Sequence, residues 1–288
     1  MGDFIHALVQ YEFLRNALLT GLLASVVCGI IGTFVVVRRI TFVADGIAHC
    51  VLGGMGVAYF IQKMYWPAFH PFYGAVIAAL GAALLIGFVR LHAREREDTV
   101  IGALWAVGMA VGVLFMAKTP GYGQDLSAYL FGDILMITSC DLWTVAGLDL
   151  VVITLTAVFY NPMLAVCFDE EFARLRGVPV QAIYMLMLCL TALTVVVLAT
   201  VVGVVMVVAL LTLPTAVAGQ FTHTMRRMMV LASLVCMVTT AGGLYASYAT
   251  NLPSGATIVV LAGALYAAVL AGRRLLRRRM PDGLPPAV

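Results

Sequence analysis

Apolar runs long enough to cross a bilayer, each closed by arginine, proline or asparagine, leave this chain few ways to fold. A hydrocarbon core about 30 Å thick asks for about 20 apolar residues per helix, because lipid offers no partner to an open backbone N–H or C=O. Phe13–Val37 meets that length and stops at Arg38 and Arg39. A second run, from about Ile40 to Ile61, leads into the aromatic and proline-rich KMYWPAFHPFY, a composition suited to a membrane interface. Tyr73–Val89 ends at the charged RLHARERED, and Val100–Ala117 follows, with Gly108 and Gly112 spaced for close approach of another helix. Leu142–Tyr160 is stopped by Asn161 and Pro162, while Met225–Tyr248 and Thr257–Ala271 close the set. With 63% hydrophobic and 11% charged residues in 288, nothing outside these runs can build a second core. The chain therefore reads as one all-α, polytopic transmembrane domain over 1–288.

Gln181–Gln220 is apolar for about twice the length of one span. Gly203 offers a turn there, and LLTLPTAVAG (Leu210–Gly219) carries Pro214, a break tolerated at membrane depth only where protein or a cavity covers the freed carbonyl. Placing every arginine cluster in the cytoplasm gives nine transmembrane helices, with the amino terminus outside and the carboxyl terminus inside. The count is eight if Val201–Gln220 dips without crossing. Lys118–Ile134 is too polar to span and falls outside, with room for a short re-entrant helix. The first apolar run lacks a small-residue cleavage site and reads as retained.

Composition also removes several functions. The net charge of +3 is spread over short loops rather than one face, which argues against nucleic acid. Six scattered cysteines without a C-x-x-C spacing read as free thiols packed like small hydrophobes. No Walker A loop and no H-E-x-x-H occurs, so the chain neither hydrolyses ATP nor resembles a metalloprotease.

Two stretches depart from scaffold. In TFVADGIAHCVLGGMG (Thr41–Gly56), Asp45 and His49 stand four apart on one helical face, with Cβ atoms about 5–6 Å from each other. Ionisable groups at such depth cost about 3 kcal/mol each on insertion scales, so they either line a pathway or tie helices together by an internal hydrogen bond. Carboxylate with imidazole suits a borderline divalent ion. Cys50 points about 100° away around the helix and reads as packing. The second stretch, FDEEFARLRGVPV (Phe168–Val180), is charged, amphipathic and bracketed by Pro162 and Pro179, so it forms a short helix outside the bilayer that Gly177 ends. Taken alone, such a segment is an ordinary solvated loop.

In order along the chain, RRITFVADGIAH, DTVIGALWAVGMAVG, DLSAYLFGDIL, FDEEFARLRGV, LLTLPTAVAG and LPSGATIVVLAG resemble the membrane-spanning permease subunit of bacterial ABC importers for zinc, manganese or iron(II), the ABC-3 permeases. The resemblance covers about Phe13 to Leu270. It implies a fold similar to the vitamin B12 and siderophore importers, a place in the bacterial plasma membrane, a second copy of the chain, two cytoplasmic ATP-binding subunits and an external metal-binding protein. No permanently bound cofactor is implied; the metal, zinc or manganese, is cargo. Asp45 and His49 match the residues implicated in metal passage. Phe168–Val180 matches the coupling helix that docks on the ATPase, with Asp169, Glu170, Glu171, Phe172, Ala173, Arg174 and Gly177 as its expected coupling residues. Leu130, Phe131 and Gly132 in the outer loop, with Pro214, are the expected gate of an alternating-access cycle, and Asp125 and Asp133 flank that loop. The arginine-rich tail RRLLRRR is expected to meet anionic membrane lipid. Two rival readings remain. A siderophore or cobalamin permease would have no use for the Asp–His pair, and a proton-coupled secondary transporter would need no coupling helix.

Overall fold

The computed structural model describes residues 2–92, 97–119, 137–204 and 207–279, and these are helical almost throughout. Twelve helices appear among them: α1 (Gly2–Gln10), α2 (Glu12–Val37), α3 (Thr41–Met64), α4 (Pro71–His92), α5 (Glu97–Lys118), α6 (Ser139–Val158), α7 (Tyr160–Phe168), α8 (Glu170–Leu175), α9 (Val180–Val202), α10 (Val207–Gly219), α11 (Met225–Thr250) and α12 (Ser254–Arg279). Eight of these, α2 to α6, α9, α11 and α12, contain a stretch long and apolar enough to cross a membrane. Helices α2, α3 and α9 are mostly enclosed, while α5, α6 and α12 keep broad apolar faces outward. The chain is thus an all-α membrane domain with three helices at its centre.

Packing of α3 against α5 follows from glycine. A Cβ added at Gly53 would sit 2.5 Å from the Gly108 carbonyl, and one at Gly112 would sit 2.9 Å from the Leu52 carbonyl. The spacing of Gly108 and Gly112 therefore does what it suggests, letting two backbones touch without side chains between them.

Helix α10 is shorter than the eight long apolar helices. Its 13 residues reach about 20 Å, less than the lipid core. Yet α11 runs antiparallel to α2, with the Ser25 and Thr240 hydroxyls 3.2 Å apart and Ser233 donating to the Val26 carbonyl at 3.1 Å. The start of α11 thus lies at the same end as Val37. Arg226 stacks 4.9 Å over Tyr160 at that end, and Arg273 donates to Gln220 at 2.8 Å. Helix α9 begins beside α8, and both Leu198 near its end and Leu210 of α10 lie by Gly21, Ala24 and Ser25 of α2. Among the described residues, eight helices are long and apolar enough to span, α10 is a shorter, proline-bearing helix beside α2, and Arg38, Arg90, Arg226 and Arg273 share one end.

Local boundaries differ from the sequence expectation in two places. Asn161 and Pro162 do not end the helical path: α6 stops at Val158 and α7 starts at Tyr160, with Pro162 in a first turn where a missing N–H costs nothing. Helix α6 also begins earlier than Leu142, at Ser139, because Thr138 and Asp141 form a reciprocal capping box.

Candidate functional site

Asp45 and His49 lie near the start of α3, on the side that α5 covers in part. The imidazole Nδ1 is 3.0 Å from the Asp45 main-chain carbonyl and 3.7 Å from its carboxylate Oδ1. A carbonyl only accepts, so Nδ1 carries the proton in that bond, and in the neutral ring the lone pair then lies on Nε2. Ligating histidines are commonly oriented this way, with one ring nitrogen tied to a backbone oxygen and the other presented. The hydrogen bond stays within one helix, so the pair does not tie two helices together. Trp105 of α5 meets the imidazole edge-on, with ring centroids 5.0 Å apart. His49 is 8% exposed, whereas the Asp45 side chain is 31% exposed. A carboxylate at the surface of an apolar helix face needs something polar beyond it.

Among the described residues, no group of three or more His, Cys, Asp or Glu side chains could hold a metal ion. One chain offers a carboxylate and an imidazole, fewer ligands than a divalent ion takes. Cys50 turns its thiol toward the Leu104 carbonyl, 3.4 Å away on α5, which fits its reading as packing. His6, His70, His92 and His223 are all exposed, as expected for residues at helix ends and loops.

The second stretch forms α8. Asp169 caps it by accepting from the Phe172 N–H at 2.9 Å, and Gly177 leaves it at φ +75°, a left-handed conformation that favours glycine. Phe172, Leu175 and the preceding Phe168 are exposed, Leu175 at 87%, and Glu171 and Arg174 are exposed beside them. Arg176 stacks on Phe172 at 4.9 Å. Of the other expected coupling residues, Ala173 is buried, and Glu170, its side chain 40% exposed, pairs with Arg38 and lies 4.0 Å from Arg90. Cys167 stands next to this pair, and burial pushes its thiol up to about 12, so it stays protonated at neutral pH.

Pro214 sits in the middle of α10 and is buried. Its ring removes the N–H that would have bonded Leu210 four residues earlier. The Cys28 thiol donates to that Leu210 carbonyl at 2.8 Å, so protein covers the freed acceptor. Leu130, Phe131, Gly132, Asp125 and Asp133 lie outside the described residues.

Sequence reasoning passed over Asp149, Arg38, Arg90, Tyr184 and Trp105 as site residues. Asp149 is 2% exposed in the middle of α6, and neither carboxylate oxygen has a hydrogen-bond partner among the described residues. Scanning the apolar runs for any acid would have found it. Arg38 and Arg90 were legible only as markers of the cytoplasmic end.

The chain is similar to several known proteins. The family profile described as ABC 3 transport family matches residues 10–273. The chain is 42% identical over 266 residues to the uncharacterized membrane protein slr2045 of Synechocystis sp., covering 92% of each. It is 38% identical over 265 residues to the manganese transport system membrane protein MntC of Halalkalibacterium halodurans, covering 92% of this chain and 88% of that one. Among solved structures, a chain of PsaBC from Streptococcus pneumoniae in complex with Fab superimposes with a TM-score of 0.84 at 28% identity, over 93% of this chain and 95% of that one.

Proposed function

Because the chain belongs to the ABC 3 transport family and passes repeatedly through the bacterial plasma membrane, we propose that it is the permease of an ATP-driven importer for a divalent transition metal, manganese before zinc. The observation that carries this reading is the Nδ1 hydrogen bond of His49, which in the neutral ring leaves Nε2 to bind an ion beside the Asp45 carboxylate on one helical face. Imidazole with carboxylate suits Mn(II) and Zn(II), and the relatives named for manganese transport favour the former.

Two copies of the chain supply the remaining ligands. A second α3 and α5 against the first would cover the exposed Asp45 face and bring two carboxylates and two imidazoles to one twofold axis. Four such donors hold an ion firmly enough to select it and loosely enough to release it, unlike four thiolates. Two cytoplasmic ATP-binding subunits dock on the exposed apolar residues of α8, and an external metal-binding protein delivers the ion. Alternating access follows: closure of the ATPases opens the paired bundles to one side at a time. Hydrolysis belongs to the partners, since the chain has no phosphate loop of its own.

Uptake of radiolabelled manganese by cells carrying the complete transporter, with unlabelled zinc as competitor, tests the reading. Asp45→Ala and His49→Ala are expected to abolish uptake at unchanged membrane abundance. Uptake at the unsubstituted level in both would refute the assignment.

A further inference from the structure

Three side chains that the sequence left unassigned, Arg38, Arg90 and Tyr184, meet Glu170 where α8 touches the bundle. Arg38, between α2 and α3, donates through Nη1 to the Val166 carbonyl at 3.1 Å and pairs through Nη2 with the Glu170 carboxylate. Arg90, at the end of α4, approaches the same carboxylate at 4.0 Å and donates to the Tyr184 hydroxyl at 3.0 Å. The Tyr184 ring, on α9, lies under both guanidinium groups, 4.3 Å from that of Arg90 and 5.7 Å from that of Arg38. One carboxylate on α8 is thereby held by the guanidinium groups that follow α2 and end α4, with Tyr184 of α9 against both.

We infer that Glu170 with Arg38, Arg90 and Tyr184 is the linkage through which displacement of α8 is delivered to the start of α3, making these four residues positioning residues for the Asp45–His49 site. The inference rests on the transport reading above. Three observations carry it. First, the pair resists separation: the Arg38 side chain is only 12% exposed, its Nε has no partner among the described residues, and the Val166 oxygen, the Tyr184 ring and the Glu170 carboxylate, itself 40% exposed, compensate the guanidinium's removal from water. Removing the carboxylate leaves an enclosed guanidinium short of its charge partner, which costs more than moving the two together. Second, the path to α3 is short and stiff. Arg38 donates its main-chain N–H to Phe34, Arg39 to Val36 and Ile40 to Val35, and Arg39 is held at φ +58°, after which α3 begins at Thr41. Asp45 and His49 follow within the first turns of α3. Third, the opposite face of α8 is open: Phe172 and Leu175 point away from the bundle, so a partner can push on the helix without touching the ionic knot. A load on the outer side thus reaches the ligand helix through Glu170.

The test uses the full complex of two permease chains and two ATPase subunits in proteoliposomes, measuring manganese moved per ATP hydrolysed alongside manganese binding at equilibrium. Glu170→Gln and Arg38→Gln are expected to keep ATPase rate and manganese affinity within about twofold while lowering metal moved per ATP by about tenfold. The exchange Arg38→Glu with Glu170→Arg, which keeps an acid among guanidinium groups, is expected to recover part of the loss; a merely structural role would lower ATPase rate and manganese affinity along with transport instead of the ratio alone. Should Arg38→Gln fail to assemble, Glu170→Asp carries the test, since it keeps the charge but shortens the reach. An unchanged ratio in Glu170→Gln and Glu170→Asp overturns the linkage. Asp45→Ala in the same assay separates the two claims: if it transports normally while Glu170→Gln uncouples, the ligand assignment falls and the linkage from α8 to α3 stands.

Discussion

The thiol of Cys28 on α2 donates to the carbonyl of Leu210 on α10, the acceptor that Pro214 leaves without a main-chain donor. A helix broken at membrane depth is thereby completed from a neighbouring helix.

Cys28→Ala removes that donor and leaves a buried carbonyl open, at a cost of about 1–3 kcal/mol. Cys28→Ser keeps a donor and is expected to melt close to the unsubstituted chain in detergent. Pro214→Ala restores the missing N–H, so the cost of Cys28→Ala should shrink in that background. Equal losses from Cys28→Ala with and without Pro214 would show that the two residues act independently.

Asp149 offers the opposite case, a buried carboxylate with nothing to satisfy it among the described residues. Asp149→Asn and Asp149→Leu are expected to raise thermal stability, by about 1–3 kcal/mol, because each removes a group that is costly to bury unpaired. A melting temperature that falls in both variants would mean that a partner reaches the carboxylate.

Gly53 and Gly102 form a contrasting pair of positions. Gly53→Ala drives a methyl group into the Gly108 backbone, whereas Gly102→Ala, on α5, meets nothing within 4 Å. The first should destabilise the α3–α5 pair by about 1–3 kcal/mol through overpacking and reduce uptake; the second should be neutral. Thermal unfolding and uptake of both variants check this, and equal behaviour would contradict the backbone contact.

Orientation is testable through cysteine chemistry. Cys140 is exposed at the start of α6, at the end away from the arginine clusters, while Cys167 lies at their end with its thiol held up to about 12. A membrane-impermeant maleimide added to intact cells should label Cys140 and leave Cys167 unmodified, because the thiolate is the reactive form. Labelling lost in Cys140→Ser would assign the signal. Label on Cys140 only after the membrane is opened would invert the topology.

Much of this architecture was legible because lipid imposes one rule on every span. The apolar lengths and the arginine clusters placed the long helices, and Gly108 with Gly112 marked the contact with α3. Asp45 and His49 stood out since few ionisable residues interrupt the runs. What could not be read was direction. Arg38 and Glu170 are separated by 132 residues, and no local pattern says that both turn toward each other rather than toward water or a partner. Trp105 reads as one more apolar residue until α5 sets it against His49. The step from α6 into α7 was hidden because proline both ends helices and begins them.

The most direct measurement of the central claim is a manganese titration of the purified permease complex followed by electron paramagnetic resonance. One ion bound per two chains, with the bound signal lost in both Asp45→Ala and His49→Ala, is the result expected of a shared site at a twofold axis. A bound signal that survives both substitutions would place the ion elsewhere and contradict the account.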